Sequence, residues 1–320
     1  MAPRPPAPSP AAAPVVPAAP PRRLPARRTV LPDPGLDADY LRLPVGPGAL
    51  HALRYGHGGP AILLVHGFTT GAPLWRRVAP LLLARGCQVV VPDLLGFGES
   101  DRPPGGPYTV AAQARHLDRA LALLRIPRVV AVGQDMGGRV VRRLAAMRPE
   151  RVAALVVVSP GAPLEEPEPE IVAVQEQTGP ALLEISSRPL GVVDLLLPAL
   201  RAALHDGDEG DERDETDARR LARYAAPYTG QAGARHLLDL ARAITEDVDV
   251  PVAPPARVPV TIVLGEHDPL PAPVGASADV VRIAGAKRLL AEETPTALAD
   301  VLVARTTHAF DVAPTLPSDA

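Results

Sequence analysis

Short, wholly apolar runs alternate along this chain with stretches in which apolar residues recur every three or four positions. The first pattern predicts strands at Tyr40–Pro44, Ala49–Tyr55, Ala61–Val65, Gln88–Pro92, Arg128–Gly133 and Val152–Ser159. The second predicts helices at Trp75–Arg85, Val110–Arg125 and Gly137–Met147, with Leu117, Leu121 and Leu124 on one helical face. Strands and helices exchanging at this spacing predict an α/β domain, a mostly parallel sheet flanked by helices. The rhythm breaks over residues 161–255, where helical segments surround the acidic run Asp206–Glu215 and no buried strand stands out. That run reads as a solvated loop. The strand pattern resumes at Val258–Leu264, so the chain divides into a core of residues 35–160 and 256–320 interrupted by a helical insertion at 161–255.

Composition changes this picture mainly at the N-terminus. Twelve of the 41 prolines fall within residues 1–34, among alanines and arginines. Proline fixes φ and lacks an N–H, so this stretch predicts a disordered, polyproline-like tail. Its apolar residues are interrupted too often for an export signal, and the expected location is cytoplasmic. Cys87 is the single cysteine, which excludes a disulfide framework. No Cys/His cluster has zinc-ligand spacing, so neither a metal nor another cofactor is expected. Apolar runs stay far below the ~20 residues of a membrane span. A formal charge of −3 gives no reason to expect nucleic acid. A small molecule is the expected partner, and a homodimer is compatible with the sequence.

Chemistry concentrates at Val129–Val141, where an apolar strand runs through Gly133-Gln134-Asp135-Met136-Gly137 directly into a helix. This is the strand–turn–helix setting of a nucleophile elbow, with aspartate where G-x-S-x-G carries serine. The turn is sharp, so its neighbours must be small. The helix N-terminus behind it favours the carboxylate form of Asp135.

With this motif the sequence resembles the α/β-hydrolase superfamily, in the branch with an aspartate nucleophile: epoxide hydrolases, haloalkane dehalogenases and fluoroacetate dehalogenases. His66-Gly67-Phe68 is similar to the family's oxyanion segment, and Pro92–Pro103 to its P-D-x-x-G-x-G-x-S-x-x-P loop. Leu264–Pro269 is similar to the loop that carries the triad acid. The resemblance implies an α/β-hydrolase fold with a helical cap at 161–255. It further implies Asp135 as nucleophile, Asp268 as acid, and the backbone N–H groups of Phe68 and Met136 as oxyanion donors. Trp75 occupies the usual aromatic position downstream of the oxyanion segment. Tyr224 and Tyr228, in the cap at i, i+4 spacing, correspond to tyrosines that bind an epoxide oxygen, or simply pack. Arg139 matches one of the two arginines with which fluoroacetate dehalogenases hold a carboxylate, or is a helix-surface arginine. Met136 and Phe68 stand where haloalkane dehalogenases place their halide-binding residues, so epoxide chemistry fits best.

The catalytic base has two registers. In one, Ile283–Pro295 imitates the family's strand–GxGH–E–P ending and puts Arg288 where the histidine belongs. In the other, Ala276–Leu290 is a helix, Val301–Ala304 the last strand and Arg305–Phe310 its loop, which makes His308 the base. The second register is preferred here, because an aspartyl ester without a base stalls. The expected activity is therefore epoxide hydrolase-like: Asp135 forms an alkyl ester that His308-activated water hydrolyses, with Asp268 orienting His308. If Arg288 holds the position, the expectation becomes a cyclase, lyase or isomerase of secondary metabolism using Asp135 as general acid/base, or a non-catalytic binding protein.

Overall fold

The computed structural model describes residues 22–23, 38–160, 169–177, 181, 184, 224, 226–246, 257–268 and 278–311. Among the described residues nine strands form one sheet in the order β1-β2-β3-β5-β4-β6-β7-β8-β9. They are β1 (Arg22–Arg23), β2 (Ala38–Pro44), β3 (Ala49–Tyr55), β4 (Ala61–Val65), β5 (Gln88–Pro92), β6 (Val129–Gln134), β7 (Val152–Val158), β8 (Val260–Gly265) and β9 (Ala278–Ile283). The β1–β2, β2–β3 and β3–β5 pairs are antiparallel, and every pair from β5 to β9 is parallel. Strands β4, β6 and β7 are buried along their whole length, which is why they read as unbroken apolar runs.

Seven helices accompany the sheet among the described residues: α1 (Val78–Ala84), α2 (Val110–Leu123), α3 (Met136–Met147), α4 (Pro169–Gln175), α5 (Gly230–Thr245), α6 (Leu290–Glu293) and α7 (Pro295–Asp311). Thr109 caps α2, its hydroxyl accepting from the Ala112 N–H at 3.2 Å. One apolar layer joins alternate residues of β4, β6 and β7 to Leu117, Leu121, Val140, Leu144 and Leu237 of α2, α3 and α5. The other joins the opposite sheet face to Trp75, Leu82, Leu298 and Leu302. Helices α4 and α5 lie in the insertion between β7 and β8; the acidic run Asp206–Glu215 and most of that insertion fall outside the described residues. The same holds for the expected N-terminal tail, except that Arg22–Arg23 pairs as a two-residue strand with Arg42 and Leu41.

The C-terminal register differs from the preferred expectation. The last strand is β9 at 278–283, inside the segment expected to be helical, and Val301–Ala304 is part of α7. Val301, Val303, Thr306 and Thr307 give that stretch a strand-like composition. Burial decides otherwise: Leu298, Leu302, Thr306 and Ala309 point inward at three- and four-residue spacing. Leu302→Ala is expected to cost about 2–5 kcal/mol. Thr307→Ala, on the exposed face, is expected to change stability by less than about 0.5 kcal/mol. Urea unfolding of both variants checks the register.

Candidate active site

β6 enters α3 with no intervening loop, and Asp135 takes the corner at φ 54°, ψ −130°, a left-handed conformation that costs a non-glycine residue energy. Crowding explains the flanking glycines. A Cβ on Gly133 would lie 2.2 Å from the Gly137 carbonyl oxygen, and one on Gly137 would lie 2.6 Å from the carbonyl oxygens of Val65 and His66. Parallel pairing of β4 with β6 brings the His66-Gly67-Phe68 segment alongside. A Cβ on Gly67 would sit 2.8 Å from Asp135 Oδ2. The Phe68 N–H donates to the same oxygen at 3.4 Å. Met136 is wholly buried as the first residue of α3.

A buried polar frame fixes the His66-Gly67-Phe68 segment. Asp93 follows β5 and accepts from His51 Nδ1 (2.8 Å), the Ala72 N–H (2.7 Å) and the Glu99 N–H (3.1 Å). Burial alone would raise its carboxyl pKa. The hydrogen bond and charge of His51, the nearby His66 and the Ala72 amide outweigh burial and hold it below the ordinary carboxylate value. His66 accepts the Leu94 N–H at Nε2 (3.0 Å), so its Nδ1 carries the proton and donates to the Gly67 carbonyl at 2.7 Å. Desolvation pushes the His66 pKa down, against the opposing effects of the Asp93 charge and the Gly67 carbonyl. Both ring nitrogens serve the turn, so His66 is a structural residue.

Arg288, in the turn between β9 and α6, places Nη2 3.4 Å from Asp135 Oδ1. Gln134 Nε2 donates to the Arg288 carbonyl, also at 3.4 Å. Asp268 is buried in the turn after β8, which lies against the same segment through the His267 N–H to Ala286 carbonyl bond at 2.9 Å. Asp135, Phe68, Arg288 and the Asp268 loop thus converge on the C-terminal edge of the sheet.

His308 does not join them. It is exposed near the C-terminal end of α7. Two residues on, the Phe310 ring lies against the Arg128 guanidinium, just before the start of β6. Arg305, three residues before His308, pairs with Asp279 at the start of β9. Asp135 follows the far end of β6, and six residues at ~3.3 Å each set the two ends about 20 Å apart. Because α7 is a helix running back along the sheet, the expected base is carried to the wrong edge.

The other expected residues divide. Tyr228 is buried in the layer that contains Phe68 and Met136, its ring 5.9 Å from the Arg102 guanidinium carbon. Its hydroxyl has no hydrogen-bond partner among the described residues. Burial, and secondarily the Asp93 charge, raise its pKa against the opposing effect of Arg102, so it stays a donor. Tyr224 instead gives its hydroxyl to Glu292 Oε1 at 2.5 Å. Trp75 is completely buried in the layer shared with α1 and α7. Arg139 is buried in the first turn of α3 and is not a surface arginine. The sequence reading missed Glu292, whose buried carboxylate also binds Arg76. The glutamate of the strand–GxGH–E–P ending was its only signal.

The alpha/beta hydrolase fold family matches residues 60–184. The chain has the α/β-hydrolase fold, and the strand order and the corner at Asp135 agree with that assignment. Among the proteins it resembles are dehalogenases and epoxide hydrolases. It is 41% identical over 107 residues to a fluoroacetate dehalogenase of Burkholderia sp, covering 32% of this chain and 35% of that one. It is 36% identical over 137 residues to bifunctional epoxide hydrolase 2 of Rattus norvegicus, covering 42% and 24%. Across the first such relatives the chain spans about a third of their length. Among solved structures, Cfl2 of Burkholderia cenocepacia superimposes with a TM-score of 0.69 at 27% identity, covering 85% of this chain and 97% of that one. Haloalkane dehalogenase DbeA of Bradyrhizobium elkani shares the fold at a TM-score of 0.68 and 21% identity, covering 87% and 100%. Among the described residues no helix is long and apolar enough to cross a membrane.

The depressed Asp93 pKa makes part of the fold acid-sensitive. That contribution is complete above the unfolded carboxylate pKa of about 3.9 and is lost as pH falls through the lower folded value. Asp93→Asn is expected to cost roughly 2–3 kcal/mol at pH 7. It is also expected to flatten the stability profile below about pH 4, as measured by denaturant titration at a series of pH values.

Proposed function

We propose that the chain is a small-molecule enzyme whose reacting group is the Asp135 carboxylate, in a pocket between the sheet and a cap formed by the insertion. We further propose that its reaction does not pass through an activated water. The observation carrying this reading is Arg288 Nη2 at 3.4 Å from Asp135 Oδ1, in the turn after the last strand. A guanidinium stays charged and offers no acceptor, so it cannot take a proton from water. It can stabilise negative charge that develops beside the carboxylate. Asp135 then acts as a general acid/base. It takes a proton from a carbon acid or hydroxyl, the released electron pair forms a new bond or expels a leaving group, and Asp135 returns the proton to the product or the leaving group. Cyclisation, elimination and isomerisation all have this form. Tyr228 supplies a protonated hydroxyl to a substrate oxygen, and the amides of Phe68 and Met136 stabilise an oxyanion.

A second reading is favoured by the epoxide hydrolase and dehalogenase relatives and by the Phe68 N–H on Asp135 Oδ2. In it, Oδ1 attacks an epoxide carbon, the C–O bond breaks, and Tyr228 protonates the alkoxide. Arg288 supplies no base for the ester, which therefore accumulates.

Two measurements separate the readings. Under the first, a 1,3-dicarbonyl probe exchanges its acidic hydrogen for deuterium at a rate that falls by about 100-fold or more in Asp135→Asn, and styrene oxide leaves no adduct. A persistent styrene oxide adduct on Asp135, converted to turnover by Arg288→His, establishes the second. Neither exchange nor adduct reduces the site to a binding pocket.

A further inference from the structure

Two consecutive glutamates bracket the turn that carries Arg288. The Glu293 carboxylate accepts the N–H groups on either side of that residue, Lys287 at 3.0 Å through Oε2 and Leu289 at 2.9 Å through Oε1. Both bonds are charge-assisted, and together they fix the backbone from which the guanidinium projects. Glu292 faces the other way. Its buried carboxylate takes the Tyr224 hydroxyl at 2.5 Å and the Arg76 guanidinium, while Arg77 Nη1 binds its carbonyl at 2.6 Å. Tyr224 comes from the insertion, and Arg76 and Arg77 follow the oxyanion segment. One short turn therefore joins three things: the insertion, the oxyanion side of the core, and the guanidinium facing Asp135.

The insertion meets the core a second time across the site. His236 of α5 donates from Nε2 to the Gly96 carbonyl at 2.7 Å, and Arg102 donates to the Pro227 carbonyl at 2.8 Å. Those contacts seat α5 and the turn before it on the loop after β5, on the opposite side of the sheet from Glu292. They do not touch the Arg288 turn. The Tyr224–Glu292 bond does link the insertion to it.

We propose that Glu293 is a positioning residue for Arg288, and that the Tyr224–Glu292 bond makes seating of the cap and placement of Arg288 one event. Tyr224 is then a structural latch and not a substrate ligand. The inference rests on the reading that Arg288 is the working neighbour of Asp135, but its test reads placement and not turnover.

Hydrogen exchange followed by mass spectrometry on the full chain, together with the Arg288 Nε–H signal assigned through its loss in Arg288→Met, supplies that test. In Glu293→Gln, exchange at the Lys287 and Leu289 amides is expected to quicken by about tenfold, the effect of losing a charge-assisted hydrogen bond, and the Arg288 signal is expected to shift. In Tyr224→Phe, exchange is expected to quicken both in α5 and at 287–289, with β6 and β7 unchanged. Glu292→Gln, which keeps an acceptor for Tyr224, is expected to retain the wild-type pattern that Glu292→Leu loses. Quickening confined to α5 in Tyr224→Phe, or an unmoved Arg288 signal in Glu293→Gln, overturns the proposal. Uniform quickening that includes β6 and β7 does the same, because it marks global destabilisation. An Asp135 that proves inert to every probe would sink the proposed function and leave this result standing.

Discussion

The corner at Asp135 is the constraint around which the rest is arranged. A strand that becomes a helix within one residue forces a left-handed backbone on a side chain that does not favour it. It also forces α3 so close to β6 and β4 that only hydrogen fits at positions 133 and 137. Such a geometry persists only where its surroundings over-determine it. Here they do, through parallel pairing of β6 with β4 and β7 and through the Asp135 N–H bonds to Val158 and Ser159 carbonyls. The energy held in the corner is offset by two apolar layers clamping the sheet from both sides.

A second, polar frame gives the corner something to face. Asp93 and His66 are buried, yet each satisfies several backbone or side-chain partners, which is what makes burying them tolerable. They bind the segment after β4 to the segment after β5, so the Phe68 amide is pre-oriented before any ligand arrives. Both ring nitrogens of His66 are committed to this scaffolding, so it is not available for proton transfer.

Legibility in the sequence followed locality. The elbow could be read because its signal lies within a dozen residues, and the buried parallel strands because burial on both faces leaves unbroken apolar runs. The last part of the core could not. β9 is half exposed at the sheet edge and carries Asp279 and Arg282, so it lacks a strand's alternation. α7 carries β-branched valines and threonines, which imitate a strand unless it is known which side is covered. That ambiguity left two registers open: the need for a base at an aspartyl ester favoured His308, whereas packing sets Arg288 beside Asp135. The glutamates beside Arg288 act through backbone amides and a distant tyrosine, contacts that no spacing rule announces.

The tight approach of Gly67 to Asp135 has a stereochemical consequence. One carboxylate oxygen is walled in by the main chain of the neighbouring strand's loop and engaged by its amide, while the other faces the Arg288 guanidinium. Contact from a single direction presents one face of a prochiral centre. Under the proposed role of Asp135, a prochiral substrate approaching along that direction is expected to give products enriched in one hand.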